Sequence, residues 1–326
     1  MKVVVCGGLR IDYIITATGE ARLNQIGGNA IYAAVGARHW TESVHLLARA
    51  GENYPQEWLD ELTGRGIGTS MVRRLPGWHE MRTFYAYIDE KTRVDREPVI
   101  HFQRIGQPLP LELEGYNHSL YENYNPESPL VLRASDVTDT LSGADAVHLA
   151  PLALRSQSEL VQAFRRSGRA QITLDPGEYR HTPDTVATVK EYCSVIDAFL
   201  PSELEVRLLL GIDDPFQAAE IFAAWGASLV VIKRGPDGCL FYERDADNFT
   251  TVPAYPTRVV DVTGAGDSFG GGFAVGLRQT GDPLQAALMG TVSASLAIEG
   301  YGALHALDTP RAEAERRLME LAGGGG

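Results

Sequence analysis

The sequence contains few cysteines, no long apolar run and fewer basic than acidic residues. Its three cysteines, Cys6, Cys193 and Cys239, lie far apart and show no CxxC spacing. This pattern disfavours a structural zinc site or a disulfide framework and fits a reducing cytoplasm. No apolar run reaches the roughly 18 residues of a membrane-spanning helix, and no charged-then-apolar leader precedes Val3. We therefore expect a cytoplasmic protein without a membrane partner.

The shortage of basic residues gives the chain a formal net charge of −13, with 29 Lys and Arg against 42 Asp and Glu. Unneutralised carboxylates repel phosphates, so nucleic acid and acidic membranes are disfavoured as partners. ATP is not excluded, because it needs only a local positive site. The length of 326 residues suffices for one large α/β domain or two smaller ones. The glycine tail at 323–326 is treated as lying outside the fold.

The most informative stretch, Asp261–Asp267, reads Asp-Val-Thr-Gly-Ala-Gly-Asp. Apolar residues then recur at helical spacing from Phe269 to Leu277, so the sequence predicts a glycine turn that opens a helix. The first turn of a helix leaves backbone N–H groups unpaired, and the helix dipole adds positive charge there. The small residues Gly264, Ala265 and Gly266 would let an anion such as phosphate approach this backbone.

Asp267 stands at the start of that helix, where a carboxylate could face a group being transferred. The alternative is that Asp267 only caps the helix, as aspartate often does. Asp261 makes that alternative less favourable. Two carboxylates flanking a phosphate-sized turn would repel the substrate unless one does chemistry and the other holds a cation.

The stretch resembles the C-terminal signature D-T-x-G-A-G-D of the ribokinase-like (PfkB) carbohydrate kinases, with Val262 in place of the threonine. The resemblance covers nearly the whole chain in family order. It implies an anion hole at Gly264 to Gly266 and Asp267 as the base that takes the proton from the acceptor hydroxyl. It also implies ATP and Mg²⁺ as cofactors.

Two N-terminal features resemble the substrate-binding parts of the same family. Asp12 follows the strand predicted at Lys2–Cys6, where the family's aspartate holds sugar hydroxyls; a surface aspartate in a turn is the alternative. Gly27, Gly28 and Asn29 resemble the N-terminal signature, in which paired glycines let the substrate lie against backbone and the next residue hydrogen-bonds it.

Tyr32 occupies the place where sugar-specific members of the family usually carry asparagine. An aromatic side chain there would crowd or stack on the substrate, which disfavours a simple pentose. Because purine rings stack on aromatic side chains, Tyr32 favours a nucleoside as an alternative acceptor. We count Tyr32 among the candidate substrate-binding residues.

Strand-like and helix-like segments alternate from Asp145 onward, which is typical of parallel βαβ units. The predicted strands are Ala146–Leu149, Gln171–Leu174, Val195–Leu200 and Leu229–Lys233, and the predicted helices include 157–166 and 215–225. We expect an α/β fold of the ribokinase-like type over residues 1–322, with a mostly parallel central sheet flanked by helices on both faces and a small β-rich lid.

Ligands of such folds gather at the carboxyl ends of the strands. Asp175, Ser202, Lys233 and Asp261 each fall just beyond a predicted strand, so we expect them to share one crevice. The segment after Asp175 resembles a D-P-N-x-R segment of some family members, with one residue too many, and makes Arg180 a substrate-binding candidate.

Several residues resemble the family's nucleotide and metal sites. Ser202 and Glu205 resemble its N-x-x-E motif, with serine in place of asparagine, which implies that Glu205 binds Mg²⁺ through water. A solvated helix face is the alternative for Glu205. Lys233, Gly235 and Gly238 resemble the loop that passes over the nucleotide, although a solvated strand-end lysine is equally plausible.

The late glycine turn Gly300–Ala303 resembles the family's monovalent-cation site. There, backbone carbonyls act together with the aspartate that corresponds to Asp261. The resemblance therefore makes K⁺ or Na⁺ a further candidate cofactor.

Residues 11–20 and 80–130 are expected to form the lid. Arg82–Ile88 and Val99–Gln103 are strand-like, and two-stranded pieces are not stable alone. We therefore expect these segments to pair with each other and with residues 12–16.

The sequence from Gly106 to Pro129 is polar and proline-punctuated. Its tyrosines Tyr116, Tyr121 and Tyr124 favour a lid or dimer surface over an ordinary insertion loop. A homodimer through the lid is therefore one expected assembly.

The predicted function is ATP-dependent phosphorylation of a hydroxyl on a small sugar or sugar-like molecule. The first alternative is a nucleoside kinase of the same family, and the second is a non-catalytic protein that binds sugar or nucleotide. A dehydrogenase is disfavoured because G-x-G-x-x-G would need glycine where Phe269 stands, and the P-loop pattern is absent.

Overall fold

A computed structural model describes residues 1–88, 93–117, 127–138, 141, 143–168 and 170–323. Its strands are β1 (Val3–Cys6), β2 (Arg10–Ile15), β3 (Ala21–Gly27), β4 (Val44–Gly51), β5 (Ile67–Leu75), β6 (Arg82–Tyr87), β7 (Arg93–Val94), β8 (Ala146–Leu149), β9 (Gln171–Leu174), β10 (Ala198–Phe199), β11 (Leu229–Lys233), β12 (Cys239–Glu243) and β13 (Asn248–Val252). Its helices are α1 (Asn29–Arg38), α2 (Gln56–Gly64), α3 (Pro98–Arg104), α4 (Leu154–Ser167), α5 (Pro183–Cys193), α6 (Glu203–Leu210), α7 (Pro215–Ala224), α8 (Ala265–Thr280), α9 (Pro283–Ala297) and α10 (Arg311–Gly323).

The larger sheet has nine strands in the order β13-β12-β11-β10-β9-β8-β1-β4-β5. From β11 to β5 every neighbouring pair is parallel, whereas β12 pairs antiparallel with both β11 and β13. Parallel neighbours need crossover connections, usually helical, which the alternation of strands and helices supplies. The mostly parallel sheet predicted from the sequence is therefore confirmed.

The larger sheet is buried on both faces, as strand β1 illustrates. Val3 and Val5 belong to an apolar cluster with residues of α1, whereas Val4 and Cys6 belong to a second cluster with residues of α4 to α7. Successive side chains of a strand point to opposite faces, so helices cover the sheet on both sides. This explains why β1 is a continuous apolar run rather than an alternating one. In the part of the chain that the structure describes, no helix is both long and apolar enough to cross a membrane.

Local sequence signals determine where several helices begin. Helices α5, α7 and α9 each have proline in the first turn, preceded by Thr182, Asp214 or Asp282, whose side-chain oxygen accepts a backbone N–H. Proline fits there because the first helical N–H groups lack partners in any case. Helix α8 differs, because its N-cap is Gly264 in the left-handed region and no side chain of the described residues caps it. The head of α8 is therefore left open.

The smaller sheet has four strands in the order β3-β2-β6-β7. Strand β2 pairs parallel with β6, while β2 with β3 and β6 with β7 are antiparallel. One face is covered by α3, where the ring of Phe84 lies 6.1 Å from that of Phe102. Directly paired residues share a face, so Asp12 and its partner Thr83 lie together on the opposite face.

The segment Val99–Gln103, predicted as a strand, is instead part of α3. Pro98 lies in the first turn and is compatible only with the start of a helix or with extended backbone. Phe102 is buried against the sheet while Val99 and Ile100 are exposed, which is the one-sided burial of a surface helix. The predicted pairing of this segment with Arg82–Ile88 is therefore wrong.

Other predictions differ from the structure in extent. The strand predicted at Val195–Leu200 comprises only Ala198–Phe199. Sequence reasoning missed the elements β3, β5, β7, β12, β13, α5 and α10. Tyr121 and Tyr124, on which the predicted lid or dimer surface partly rests, lie outside the described residues, as do residues 324–326 of the predicted tail. Gly323, also assigned to that tail, is instead the last residue of α10.

Candidate active site

Three of the four residues predicted to share a crevice meet at the carboxyl ends of β9, β10 and β11. The fully buried carboxylate of Asp175, directly after β9, forms an ion pair with the ammonium group of Lys233 at the end of β11. Ser202, after β10, pairs with Lys233 through a parallel backbone bridge. Because neighbouring parallel strands end at the same edge, the sheet itself brings these residues together.

The head of α8 presents open backbone donors. Gly264 has a φ of 74°, which residues with a Cβ adopt only at a cost. Among the described residues, no acceptor takes the N–H of Gly264, Gly266 or Asp267. The N–H of Ala265 differs, because it donates to the carbonyl of Val262 at 3.2 Å. In the predicted anion hole, the N–H groups of Gly264 and Gly266 are thus open among the described residues, whereas the N–H of Ala265 is hydrogen-bonded within the turn.

Lys233 brings positive charge to this open backbone. A Cβ atom added at Gly266 would lie 3.4 Å from Lys233 Nζ, so the ammonium group is next to the first turn of α8. Burial is the largest single effect and would lower the pKa of Lys233, but the carboxylates of Asp175, Glu205 and Asp267 together outweigh burial and raise the pKa above its usual value. Lys233 therefore stays charged at neutral pH.

Asp267 is half-buried in the first turn of α8. No donor among the described residues hydrogen-bonds its carboxylate, and no side chain caps the helix, so the capping alternative has no support in the geometry. Burial raises the pKa of Asp267 to about 6; Lys233 opposes this rise and Glu205 adds to it. At neutral pH the group is a deprotonated carboxylate that has no hydrogen-bond partner in the described part of the chain.

Ser202 and Glu205 form a reciprocal capping box at the start of α6. The backbone N–H of Ser202 donates to Glu205 Oε2 at 2.5 Å, and the N–H of Glu205 donates to Ser202 Oγ at 3.4 Å. This arrangement satisfies helix-end donors and fixes the glutamate beside the crevice. The other carboxylate oxygen of Glu205 keeps its capacity for a ligand.

The loop after β11 contains the two glycines predicted near the nucleotide. Gly235 has a φ of 54°, and an added Cβ there would meet only open space. Gly238 has a φ of 78°, and an added Cβ would overlap the carbonyl oxygen of Val252. Only Gly238 is therefore required by close packing. Gly235 is exposed, and the space next to its Cα is open.

Asp12 and the first glycine turn form the other wall of the crevice. An added Cβ at Gly27 would overlap the carboxylate of Asp12, so this glycine is required by the close approach of that side chain. Gly28 has a φ of 104°, and its Cβ would overlap the carbonyl oxygen of Gly8. Burial raises the pKa of Asp12 to about 7, although Arg10 opposes the rise.

The amide of Asn29 is engaged with backbone. Its Oδ1 accepts the N–H of Gly8 at 2.8 Å, and its Nδ2 donates to the carbonyl of Pro151 at 2.6 Å. Asn29 thus joins the loops after β1 and β8, beside the glycine turn. These bonds position the glycine turn. Oδ1 of Asn29 keeps one further acceptor site, and Nδ2 keeps one further donor hydrogen.

Asp261 lies between the smaller sheet and the head of α8. Its Oδ1 accepts hydrogen bonds from the hydroxyl of Tyr87 at 3.0 Å and from the N–H of Thr263 at 2.9 Å. Its Oδ2 is buried without a partner among the described residues. The backbone N–H of Asp261 donates to the carbonyl of Ile298 at 3.2 Å, which ties this segment to the end of α9.

Tyr32, on α1, packs against the head of α8. An added Cβ at Gly264 would overlap the tyrosine ring, so the glycine permits this contact. Burial raises the pKa of Tyr32 well above its usual value, and Asp12, Asp261 and Asp267 add to the rise. The three carboxylates are therefore near enough to act electrostatically on the hydroxyl of Tyr32.

Arg180 is exposed, and no hydrogen bond or ion pair joins it to the described residues, so nothing in the geometry supports it as a site residue. Sequence reasoning missed Thr83, Tyr87 and Arg93 of the smaller sheet. Arg93 pairs with Tyr87 across β6 and β7, and it opposes the raised pKa values of Asp12 and Asp267. The alternation of Thr83, Tyr85 and Tyr87 along one strand was the available signal.

The chain is similar to a known protein family, to a curated relative and to solved structures. Residues 2–310 match the family described as pfkB family carbohydrate kinase. A cytidine kinase of Thermococcus kodakarensis is 29% identical over 290 residues, which cover 87% of this chain and 91% of that protein. A putative ribokinase II from E. coli in complex with ATP and Mg²⁺ has a TM-score of 0.72 at 18% identity, covering 98% of this chain and 99% of that one. A fructokinase double mutant from Vibrio cholerae O395, with fructose, ADP and potassium bound, has a TM-score of 0.72 at 19% identity and covers 98% of each chain.

The structural similarities confirm the ribokinase-like α/β fold predicted from the sequence, with its large, mostly parallel sheet and its smaller second sheet. Because the family match spans nearly the whole length, the chain belongs to the pfkB family of carbohydrate kinases. It is accordingly a phosphotransferase whose acceptor is an alcohol group.

Proposed function

We propose that this protein transfers the γ-phosphoryl group of ATP to a hydroxyl of a small sugar or sugar-like substrate, with Asp267 as the base. The observation that carries the proposal is the half-buried Asp267 carboxylate, which has no donor among the described residues and shares a helix turn with open N–H groups. A base and anion donors on one turn would hold the acceptor hydroxyl in line with the phosphoryl group.

The charges of the crevice suit phosphoryl transfer, in which the protein mainly positions groups and stabilises negative charge. The N–H groups of Gly266 and Asp267 would bind phosphoryl oxygens, and the ammonium group of Lys233 lies beside them. With a pKa of about 6, Asp267 is deprotonated at pH 7 and can accept the proton of the acceptor hydroxyl.

The residues present fit a magnesium-bound nucleotide. One oxygen of Glu205 accepts the Ser202 N–H, and the other can receive a water of the ion. Among the described residues, no three His, Cys, Asp or Glu side chains are grouped closely enough to hold a metal. The ion would therefore rely on ATP phosphates and water, and when bound it offsets phosphate charge. The exposed Gly235 leaves space for the nucleotide.

A monovalent cation, K⁺ or Na⁺, fits at Asp261. The buried Oδ2 of Asp261 has no partner among the described residues, and a buried carboxylate oxygen without a partner is costly. A cation held by this oxygen and by nearby backbone carbonyls would remove that cost. The potassium ion in the fructokinase structure named above supports the proposal by analogy only.

We assign residues 1–322 to one kinase domain, in which segments 11–20 and 80–130 act as a lid. The smaller sheet carries Asp12 over the crevice, and its closure would exclude water that competes as phosphoryl acceptor. A homodimer through the lid stays a prediction. The three free and buried cysteines support a cytoplasmic location.

The test uses Asp267→Asn, which removes the basic carboxylate and keeps the size and shape of the side chain. Turnover should fall by about 100- to 10,000-fold, and ATP binding measured by calorimetry should change little. The control is Asp282→Asn, which removes a carboxylate that caps α9 away from the crevice and should leave turnover intact. Near-normal turnover of Asp267→Asn would refute the role assigned to Asp267. Tight sugar binding by the wild-type protein without any turnover would favour the non-catalytic alternative.

A nucleoside is the second candidate acceptor. One observation favours it, namely the relative named cytidine kinase. The ring of Tyr32, expected from the sequence to stack on a base, is only 4% exposed and packs against Gly264. A panel containing cytidine, D-ribose, D-fructose and myo-inositol, assayed for ADP formation, separates the candidates. A kcat/KM that is highest for cytidine would assign the nucleoside, and one that is highest for a free polyol would assign the sugar-like substrate.

A further inference from the structure

The guanidinium group of Arg317 is buried, although α10 is the last helix of the fold. Arg317 is 7% exposed, whereas the next residue towards the start of α10, Arg316, is exposed. Arg317 Nη2 donates to both carboxylate oxygens of Glu299, at 3.0 and 2.9 Å, and Nη1 donates to Ser295 Oγ at 3.0 Å. Its Nε donates to Glu313 Oε1 at 2.8 Å. Arginine is seldom buried unless it is paired, so the place at which this pair lies needs an explanation.

Glu299 connects Arg317 to the segment that precedes α8. It lies just after α9 and directly before the late glycine turn, Gly300–Ala303. Its Oε1 also accepts a hydrogen bond from the hydroxyl of Thr257. The residue before it, Ile298, accepts the backbone N–H of Asp261 at 3.2 Å. Glu299 and its neighbour therefore hold the segment around Asp261 on one side and continue into the glycine turn on the other.

The segment at 253–264, between β13 and α8, contains neither a helix nor a strand. Its position therefore depends on contacts with other elements and not on a ladder of backbone hydrogen bonds. Helix α10 supplies a second such contact at Tyr255. The guanidinium of Arg317 lies 4.9 Å from the ring centre of Tyr255, and the tyrosine hydroxyl donates to Glu320 Oε2 at 2.7 Å. Helix α10 is thus one of the elements that determine where Asp261 lies.

Both parts of the proposed K⁺ or Na⁺ site are adjacent to Glu299. The buried Oδ2 of Asp261, which has no partner among the described residues, would supply the charge. The glycine turn is the candidate for the backbone carbonyls. The turn is joined to Glu299 by the chain itself, and Asp261 is joined to it through Ile298. Because a cation is bound by several oxygens at once, its affinity depends on the residues that orient them.

We propose that the ion pair of Arg317 with Glu299 positions the cation site, so that α10 determines how tightly the protein binds K⁺ or Na⁺. The inference rests on the proposed function and on the cation proposed at Asp261. Arg317 and Glu299 act through Ile298 and the glycine turn, without touching the ion, ATP or the acceptor. They are therefore positioning residues.

The physical reason is that the cation binds only to one arrangement of its ligands. Without Arg317, the carboxylate of Glu299 loses the partner that orients it, and the segment before α8 samples positions in which Asp261 no longer faces the turn. The apparent dissociation constant of the cation rises as the population of the competent arrangement falls. Excess cation restores that population, so turnover should recover at high K⁺. A loss of stability alone has no such consequence.

The test compares Arg317→Met and Glu299→Gln with the wild-type protein over a range of KCl, at an ionic strength held constant with N-methyl-D-glucamine chloride. The K⁺ concentration that gives half-maximal turnover should rise by about 10- to 100-fold, as metal affinity changes when residues behind the ligands are altered. At saturating K⁺, kcat should return to within about twofold of the wild-type value.

A second readout needs neither ATP nor an acceptor. The melting temperature of the wild-type protein should rise with KCl at constant ionic strength, because a ligand that binds only the folded state stabilises it. Both variants should melt at a lower temperature without K⁺ and should need more KCl for the same rise.

Arg316→Met is the matched control. Arg316 lies on the same helix and pairs with Glu313 and Glu320, but not with Glu299. The substitution removes the same charge and should leave the K⁺ requirement unchanged. An equal rise of the K⁺ requirement in Arg316→Met would overturn the inference, because the effect would then not depend on Glu299.

Two milder variants keep the test decisive if Arg317→Met does not fold. Arg317→Lys keeps the positive charge and should recover part of the K⁺ affinity that Arg317→Met loses. Thr257→Val removes one hydrogen bond to Glu299 and no buried charge. It should raise the K⁺ requirement by about 2- to 10-fold, the range that a single hydrogen bond supports.

The inference can fail while the kinase function stands. A lower melting temperature of Arg317→Met and Glu299→Gln with an unchanged K⁺ requirement would overturn it, since the pair would then serve only the fold. Wild-type turnover and melting temperature that depend on neither K⁺ nor Na⁺ would overturn it as well, because there would be no cation to position. Full activity of Asp267→Asn, in contrast, would overturn the proposed function itself.

Discussion

The hydroxyl of Tyr87 donates to Asp261 Oδ1 at 3.0 Å, and both residues are only 6% exposed. Tyr87 lies at the end of β6 in the smaller sheet, whereas Asp261 opens the turn that leads into α8. The same hydroxyl is 2.5 Å from Thr263 Oγ1. A single side chain of the smaller sheet is therefore bonded to the segment that positions the open N–H groups and Asp267.

Tyr87→Phe should weaken this connection. A hydrogen bond to a charged group contributes about 1.5 to 3 kcal/mol, so the free energy of unfolding should fall by an amount of that order. We expect kcat/KM to fall as well, because the smaller sheet no longer holds the turn. Urea unfolding and steady-state kinetics measure the two effects.

Tyr13→Phe is the matched control for Tyr87→Phe. The Tyr13 hydroxyl donates to Asn24 Oδ1 at 2.6 Å within the smaller sheet and does not reach α8. Its loss should lower stability but leave kcat/KM close to that of the wild type. Equal losses of activity in both variants would contradict a specific role for the bond between Tyr87 and Asp261.

Asp12 should make the unliganded protein less stable as the pH rises. Burial raises the pKa of Asp12 to about 7 in the folded protein, and the group in the unfolded chain has an ordinary pKa of about 4. The folded state therefore keeps a proton that the unfolded state loses. This contribution to stability is complete below the unfolded pKa and is lost as the pH rises through about 7.

Asp12→Asn should remove that contribution. The variant should be more stable than the wild type at pH 8, by on the order of 2 kcal/mol, and should bind the acceptor poorly. Melting curves between pH 5 and 8 measure the effect, and Asp60→Asn on exposed helix α2 serves as the control. A wild-type melting temperature that rises steadily from pH 5 to 8, with no change in Asp12→Asn, would contradict the raised pKa.

Arg93 should influence the acid limb of the rate profile. Its guanidinium lies 4.1 Å from the ring centre of Tyr85 and lowers the pKa of Asp267. Arg93→Gln should therefore raise the pKa of Asp267 further above about 6. The acid limb of kcat/KM should then move to higher pH by a few tenths to about one pH unit, most clearly at low salt.

Arg22→Gln provides the control for Arg93→Gln. Arg22 lies on β3 of the same sheet, and its guanidinium stands 4.7 Å from the ring centre of Tyr301. The charge change is identical, but Arg22 stacks on a tyrosine outside the smaller sheet. A shift of the acid limb as large in Arg22→Gln as in Arg93→Gln would show that the effect is general and not local.

Lys233→Met should destabilise the fold as well as the nucleotide site. Without Lys233 the fully buried Asp175 has no cation beside it, and breaking a buried pair in this way costs about 3 to 5 kcal/mol. The KM for ATP should also rise. Adding Asp175→Asn to Lys233→Met should recover much of the stability in urea unfolding but not the KM.

The pair of Arg234 with Glu203 is the comparison for this experiment. These side chains are more exposed, and their nitrogen and oxygen are 3.2 Å apart. Arg234→Met should lower the free energy of unfolding by less than about 1 kcal/mol, because exposed ion pairs contribute little to stability. An equally small loss of unfolding free energy in Lys233→Met would show that the pair of Lys233 with Asp175 is not isolated from solvent.

Sequence reasoning succeeded where the signal is local. Strands β8, β9 and β11 match their predicted bounds, because each is a short apolar run within a βαβ alternation. The head of α8 was also predicted, because glycines followed by helically spaced apolar residues define a turn and a helix. The segment Val99–Gln103 was assigned wrongly because its residue types favour strands, while packing against Phe84 makes it a helix.

Contacts between distant parts of the chain could not be predicted in the same way. Tyr87 and Asp261 are 174 positions apart, and nothing near either residue indicates the other. The same holds for Tyr32, whose ring lies against Gly264, and for Thr83, whose position beside Asp12 follows only from the pairing of β2 with β6.

By itself the sequence determined the alternating α/β framework and the glycine-headed helix with Asp267, since both follow from short-range backbone preferences and apolar spacing. Only the tertiary structure decided which donors stay open, which carboxylate oxygens remain unpaired and which charges meet. Those properties depend on burial and on distances of a few ångströms between separate sheets, and no local run of residues contains that information.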